Sequence, residues 1–234
     1  MPNQIVTREE WVAARQALLA KEKAFTRERD ALSAERQALP WVRVKTDYAF
    51  DGPGGTETLS DLFAGRTQLI VYHFMFEPQW EEGCKGCSFL SDHFDPAIVH
   101  LNERDVSFVV ASTAPWQTTN AFKERMGWRF KWVSAGNCSF NRDYHVTFDD
   151  EAVAKGEVYY NFGPFPFNMK EAPGVSVFYK DGDGTIYHTY SSYARGLDAF
   201  IGAYQFLDIV PKGRDEEGLA FGMEWVKHHD RYEE

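Results

Sequence analysis

A seven-residue beat runs through the start of the chain. Trp11, Leu18, Phe25, Leu32 and Leu39 keep that spacing, Ala17, Ala24, Ala31 and Ala38 sit one position earlier, and the rest is mostly charge and Gln. A narrow apolar seam on a polar surface predicts one long helix over residues 7 to 39. Thr7 and Glu10 have the spacing of a capping box, and Pro40 stops the helix. Such a helix either docks by one edge on its own domain or crosses to a second subunit, making a homodimer. Only one of the two heptad seam positions is bulky, which argues against a free coiled coil.

Beyond Pro40 the period changes. Trp41 to Lys45 and Tyr48 to Phe50 read as extended, and Asp51-Gly-Pro-Gly-Gly reads as the turn of an opening hairpin. Thr58-Leu-Ser-Asp-Leu-Phe starts a short helix with Ser60 as its expected cap. The unbroken apolar run from Leu69 to Phe76 predicts a strand buried on both faces. Phe89, Leu90, Phe94, Ile98 and Leu101 return to helical spacing, with Pro96 as the expected break. A second strand (Val106 to Ser112), a helix (Thr118 to Met126, ended by Gly127) and a third strand (Arg129 to Ser134) follow. Residues 136 to 172 mix Asn, Asp, Gly and Pro with aromatics, densest from Tyr159 to Phe167, and predict an insertion over one end of the sheet. Val175 to Tyr179 and Thr185 to Tyr190 flank Asp181-Gly-Asp-Gly as a hairpin, and Leu197 to Leu207 is a closing helix ended by Pro211. The expected organisation is an N-terminal helical arm (1–40), an α/β domain (41–211) carrying the insertion, and a charged, peripheral tail (212–234).

Charge and composition narrow the function. The 234 residues carry a net charge of −10, which argues against nucleic acid or an anionic membrane as the main partner. No apolar run is long enough to span a bilayer, and the N-terminus lacks the pattern of a signal peptide. The expected location is the cytoplasm. Aromatic residues make up 16% of the chain, so large flat side chains must fill much of its core. Three cysteines are too few, and too odd a number, for a secreted disulfide scaffold. Two of them, Cys84 and Cys87, form a C-x-x-C directly after the first buried strand.

That pair can support thiol–disulfide exchange. A thiolate attacks a disulfide, and a second thiol three residues on resolves the mixed disulfide. If a helix begins near Cys84, free backbone N–H groups and the neighbouring Lys85 stabilise its thiolate. Glu81 and Glu82 oppose this by repulsion. Cys84 is the expected nucleophile and Cys87 the resolving thiol, with a protein or small-molecule disulfide as partner and no organic cofactor. Trp80 either covers the site or packs in its loop. Zinc binding or redox sensing by the same pair is an alternative. There is no second C-x-x-C, however, and the nearest histidines read as a core residue (His73) and a solvated one (His93). Cys138 reads as a free thiol, Asp181-Gly-Asp-Gly as a turn rather than a calcium loop, and His228 and His229 as exposed. Ser112 and Thr113 lie on the sheet edge where α/β proteins bind ligands.

The element order, two parallel crossovers then an antiparallel hairpin and a closing helix, resembles the thioredoxin fold. The opening hairpin and Thr58-Leu-Ser-Asp-Leu-Phe resemble its alkyl hydroperoxide reductase and thiol-specific antioxidant branch. Val71-Tyr-His-Phe-Met-Phe, Cys87-Ser-Phe, Met126-Gly-Trp, Phe140-Asn-Arg-Asp and Tyr193-Ala-Arg-Gly-Leu-Asp resemble one bacterial family. That family is catalogued as a domain of unknown function and described as predicted dithiol–disulfide oxidoreductases. The resemblance runs from about residue 7 to 230. It implies a cis-proline beside the cysteines, for which Pro173 is the candidate. It also implies that backbone near Pro173 and Gly174 pairs with an extended substrate, close to Gly86 of the motif. Peroxidases of the branch carry Pro-x-x-x-Thr-x-x-Cys; here Pro78 is followed by Glu82 and Lys85 at those places, so peroxide reduction is the lesser alternative.

Overall fold

The computed structural model describes residues 4–233. The chain divides into two units, Met1–Pro40 and Trp41–Glu234. The first is a single helix, α1 (Arg8–Gln37). The Thr7 side chain accepts from the Glu10 N–H, and Glu10 reaches back to the Thr7 N–H, so the capping box forms as the spacing predicts. No residue of α1 is buried, and its seam positions Trp11, Leu18, Phe25 and Leu32 are exposed.

The second unit begins with β1 (Val42–Arg43), the hairpin β2 (Ala49–Gly52) and β3 (Gly55–Thr58), and α2 (Leu59–Leu62). Thr58, not Ser60, caps α2. Asp61 lies three residues after Thr58 and returns a hydrogen bond to its backbone, and Ser60 has no such partner. The centre follows: β4 (Gln68–His73), α3 (Lys85–Ser91), α4 (Phe94–Glu103), β5 (Val106–Ser112), α5 (Trp116–Arg125) and β6 (Lys131–Ser134). The break between α3 and α4 falls at Asp92 and His93. Pro96 sits within the first turn of α4, where its missing N–H costs nothing. The insertion holds α6 (Phe140–Asp143), α7 (Asp150–Lys155) and a separate hairpin, β7 (Glu157–Tyr160) and β8 (Gly163–Pro166). Then come β9 (Gly174–Lys180), β10 (Ile186–Tyr193), a 3-10 helix (Ala194–Phe200) and α8 (Gly202–Leu207). The expected single closing helix is thus two pieces, parted by extended backbone at Ile201. As expected, Asp181 makes the β9–β10 turn, accepting from the Asp183 and Thr185 N–H groups.

The eight strands order as β1-β10-β9-β4-β5-β6-β2-β3. β4, β5 and β6 run parallel, β9 pairs antiparallel with β4, and β10 pairs antiparallel with β9. Three parallel strands continued on one side by an antiparallel hairpin, with helices on both faces, make a thioredoxin-like sheet. Alternation along the strands splits the core in two. Leu69 and Val71 join Val109, Val133 and Phe178 on one face. Tyr72 and Phe74 join Val110, Trp132, Leu90 and Phe94 on the other. The tail from Lys212 is not peripheral: Val226 and His228 are buried, and Val226 belongs to the second of these clusters.

Candidate redox site

β4 ends at His73, and the chain runs on through Phe74–Glu77. Its alternating backbone groups face two different sites. The Phe74 N–H and Phe76 C=O continue to bond the chain around β5, at Ala111 and Ala114. Between them, Met75 turns the other way: its C=O accepts from the Cys84 N–H at 3.1 Å, and its N–H donates to Cys87 Sγ at 3.5 Å. Met75 thus holds both ends of the C-x-x-C.

Cys84 is the N-cap of α3, and Cys87 lies one turn inside it. Both thiols are free; Cys84 is partly exposed and Cys87 is 2% exposed. The Cys87 thiol, the backbone N–H groups of Cys87 and Gly86, and Lys85 all favour the Cys84 thiolate. They outweigh its burial and hold its pKa down to about 7. Burial pushes Cys87 the opposite way, well up, and repulsion from Cys84 adds to this. The two sulfurs are therefore unequal in the sense that exchange chemistry requires.

In the loop before Cys84, one of the two opposing acids is paired. Glu82 pairs with Arg125, and with Arg231 at 2.7 Å, so its charge is offset by two arginines. Gly83 is packed so tightly that a Cβ there would lie 2.6 Å from the Phe74 ring and 2.9 Å from Phe122. His228, expected to be exposed, is buried and donates from Nε2 to the Gly83 carbonyl at 2.8 Å. His93, expected to be solvated, is half-buried. Its Nδ1 donates to the Phe89 carbonyl, and its Nε2 accepts from the Ala203 N–H, joining α3 to α8.

The cysteines open on a cavity of about 480 Å³. Lys85, Gly86 and Pro173 line it, as do Tyr72, Leu90 and Met223. Trp80 is half-buried among core residues and does not line the cavity. Gly174 is in the sheet instead, paired with His73 and Tyr193. Every peptide bond among the described residues is trans, so Pro173 is not the cis-proline the resemblance implies. Its carbonyl accepts from the Tyr160 hydroxyl at 2.6 Å and is already engaged.

Two functional groups escaped the sequence reading. Tyr72 is 1% exposed and lines the same cavity as Cys87, where its hydroxyl favours the Cys87 thiolate. Burial raises its phenol well above the usual range, so it stays a donor. Glu171 is 2% exposed; it accepts from the Phe76 N–H at 2.9 Å and from the Thr113 hydroxyl. Burial raises its carboxyl to about 7. It borders a second cleft of about 430 Å³ with Glu77, Thr113, Cys138, Asn141 and Lys170. Among the described residues, no three His, Cys, Asp or Glu side chains stand together as metal ligands. The rings of His73 and His93 are both committed, His73 to Asn141 and Ser176.

A thioredoxin-like sheet with a C-x-x-C at the head of the helix after its first central strand defines the class of this protein. The chain belongs to the family described as bacterial protein of unknown function (DUF899), whose model matches residues 1–232. No curated protein matches the sequence. Among solved structures, peroxidoxin BcpB from Mycobacterium tuberculosis is similar at 15% identity and a TM-score of 0.46, over 70% of this chain and 94% of that one. A C84S mutant of peroxiredoxin Q from Xanthomonas campestris is similar at 16% identity and 0.44, over 68% and 90%. A putative thiol:disulfide interchange protein DsbE from Chlorobium tepidum is similar at 14% identity and 0.40, over 70% and 99%. No helix among the described residues is long and apolar enough to cross a membrane.

Proposed function

We propose that the protein is a thiol–disulfide oxidoreductase. The observation that carries this reading is the placement of the pair: a partly exposed Cys84 at the N-cap of α3 and a buried Cys87 one turn inside it, an arrangement that holds Cys84 down to about 7 and pushes Cys87 well up. The Cys84 thiolate attacks one sulfur of a disulfide R–S–S–R, and one thiolate RS⁻ leaves. Cys87 gives up its proton and attacks Cys84 Sγ; the Cys84–Cys87 disulfide forms and the second RS⁻ leaves. Two electrons pass to the substrate, and an external dithiol restores the pair. The Tyr72 hydroxyl and the Met75 N–H stabilise the negative charge that develops on Cys87. At the place of the peroxidase threonine, Glu82 is occupied by Arg125 and Arg231, which gives peroxide reduction no support.

The test is the rate of Cys84 alkylation by iodoacetamide against pH, with redox titration in dithiothreitol and glutathione buffers. Alkylation should rise through a midpoint near 7, and the titration should yield a reversible Cys84–Cys87 disulfide. Cys84→Ser should remove exchange activity by a factor of at least about 10³, because the nucleophile itself is lost. Unreactive cysteines that never pair would defeat the proposal.

A further inference from the structure

Resting on the exchange reading, we infer that the substrate of this site is a small organic disulfide with uncharged, apolar arms, bound in the cavity beside Cys84. The cavity is within the size range of small-molecule sites. Its floor is Tyr72, Met75 and Leu90, its side is Leu197 and Ile201, and its roof includes Met223. Charge at its rim is largely spent. Asp198 is paired with Arg214 at 2.9 Å and with Arg195 at 3.3 Å, and Glu224 accepts from the Ala220 N–H. Lys85 stands exposed at the rim, in water; an arm charged deeper in, among the apolar walls, would lose its hydration without gaining a partner there.

The roof also argues against an extended protein segment as substrate. Met223 packs directly on the motif: a Cβ on Gly86 would meet its sulfur at 3.3 Å and Cys84 Sγ at 4.0 Å. Three hydrogen bonds converge on one Glu216 oxygen, from the Met223 N–H, the Tyr204 hydroxyl and the Trp225 indole. Farther on, His228 bonds Gly83, Asp230 pairs with Arg125 at 2.7 Å, and Arg231 pairs with Glu82. The tail is thus fastened on both sides of Met223. A partner chain laid across Gly86 would have to displace it, whereas a small molecule can enter beneath it.

Symmetrical dialkyl disulfides from dimethyl to dibutyl test this, with dithiothreitol as reductant and the uncatalysed rate subtracted. Their S–S bonds are alike, so kcat/KM reads the arms. It should rise about fourfold for each methylene buried, about fifteenfold per step of the series when both arms are seated, until the cavity is full, and Met223→Glu should flatten that rise. Dibutyl sulfide, which has no S–S bond, should bind Cys84→Ser protein in calorimetry with a negative heat-capacity change. A flat series without sulfide binding would overturn the inference and leave exchange standing. Sulfide binding without turnover of any disulfide would keep the apolar site and overturn the exchange reading. Neither turnover nor binding would overturn both.

Discussion

Residues 74 to 77 separate two clefts of similar volume and opposite character. On one side Met75 faces a cavity walled by apolar groups, with two sulfurs at its edge. On the other, the Phe76 N–H meets a buried carboxyl in a cleft lined by Glu77, Thr113 and Lys170. The two are successive residues of one segment that follows β4. A thioredoxin-like sheet edge therefore does not dictate one chemistry. The loops that close over each side decide it: the tail and the 3-10 helix supply apolar atoms, and the insertion supplies charge.

The largest expected disturbance of this contrast comes from Gly83→Ala. The added methyl meets two phenyl rings on the cysteine side, so unfolding in urea should show a loss of about 3 kcal/mol. Cys84 should lose its low alkylation midpoint while the titration of Glu171 persists. A change confined to Glu171 instead would erase the separation between the clefts.

Glu171→Gln probes the other side. In the fold Glu171 keeps its proton up to about 7; its ordinary value is 4.5. Between these values the folded state binds more protons than the unfolded one, so stability falls as pH rises through that window. The variant should lose this slope, gaining on the order of 3 kcal/mol at pH 8 relative to the parent. Thermal unfolding from pH 4 to 8 measures it, and parallel curves for the two proteins would refute the assignment. Tyr72→Phe should have the smallest effect. Loss of the hydroxyl that favours the Cys87 thiolate should slow resolution of the mixed disulfide about threefold to tenfold in stopped-flow. Cys84 alkylation should change by less than about twofold, since the phenol is uncharged.

Much of the scaffold was legible because its signals are local. The apolar run at Leu69, the Thr7–Glu10 box and the Asp181 turn each involve residues a few positions apart. The C-x-x-C was legible for the same reason. His228 was not, because its partner Gly83 is 145 residues away and only the fold brings them together. The tail reads as solvated from its charge, yet Glu216, Asp230 and Arg231 are spent on staples on either side of Met223 and Val226. Tyr72 was hidden inside an apolar run, where a phenol and a phenyl ring look alike until a sulfur faces the hydroxyl. Glu171 sat in an irregular stretch with no period to say which way it points.

The alternation at Met75 and Phe76 also bears on how such proteins diverge. Substitutions can retune either cleft alone, because each is reached by its own side chains. Inserting or deleting a single residue between His73 and Glu77 cannot, since it would exchange the partners of every backbone group in the segment. Lineages of this fold should therefore vary in residue identity along this stretch and keep its length, leaving length changes to the outer loops.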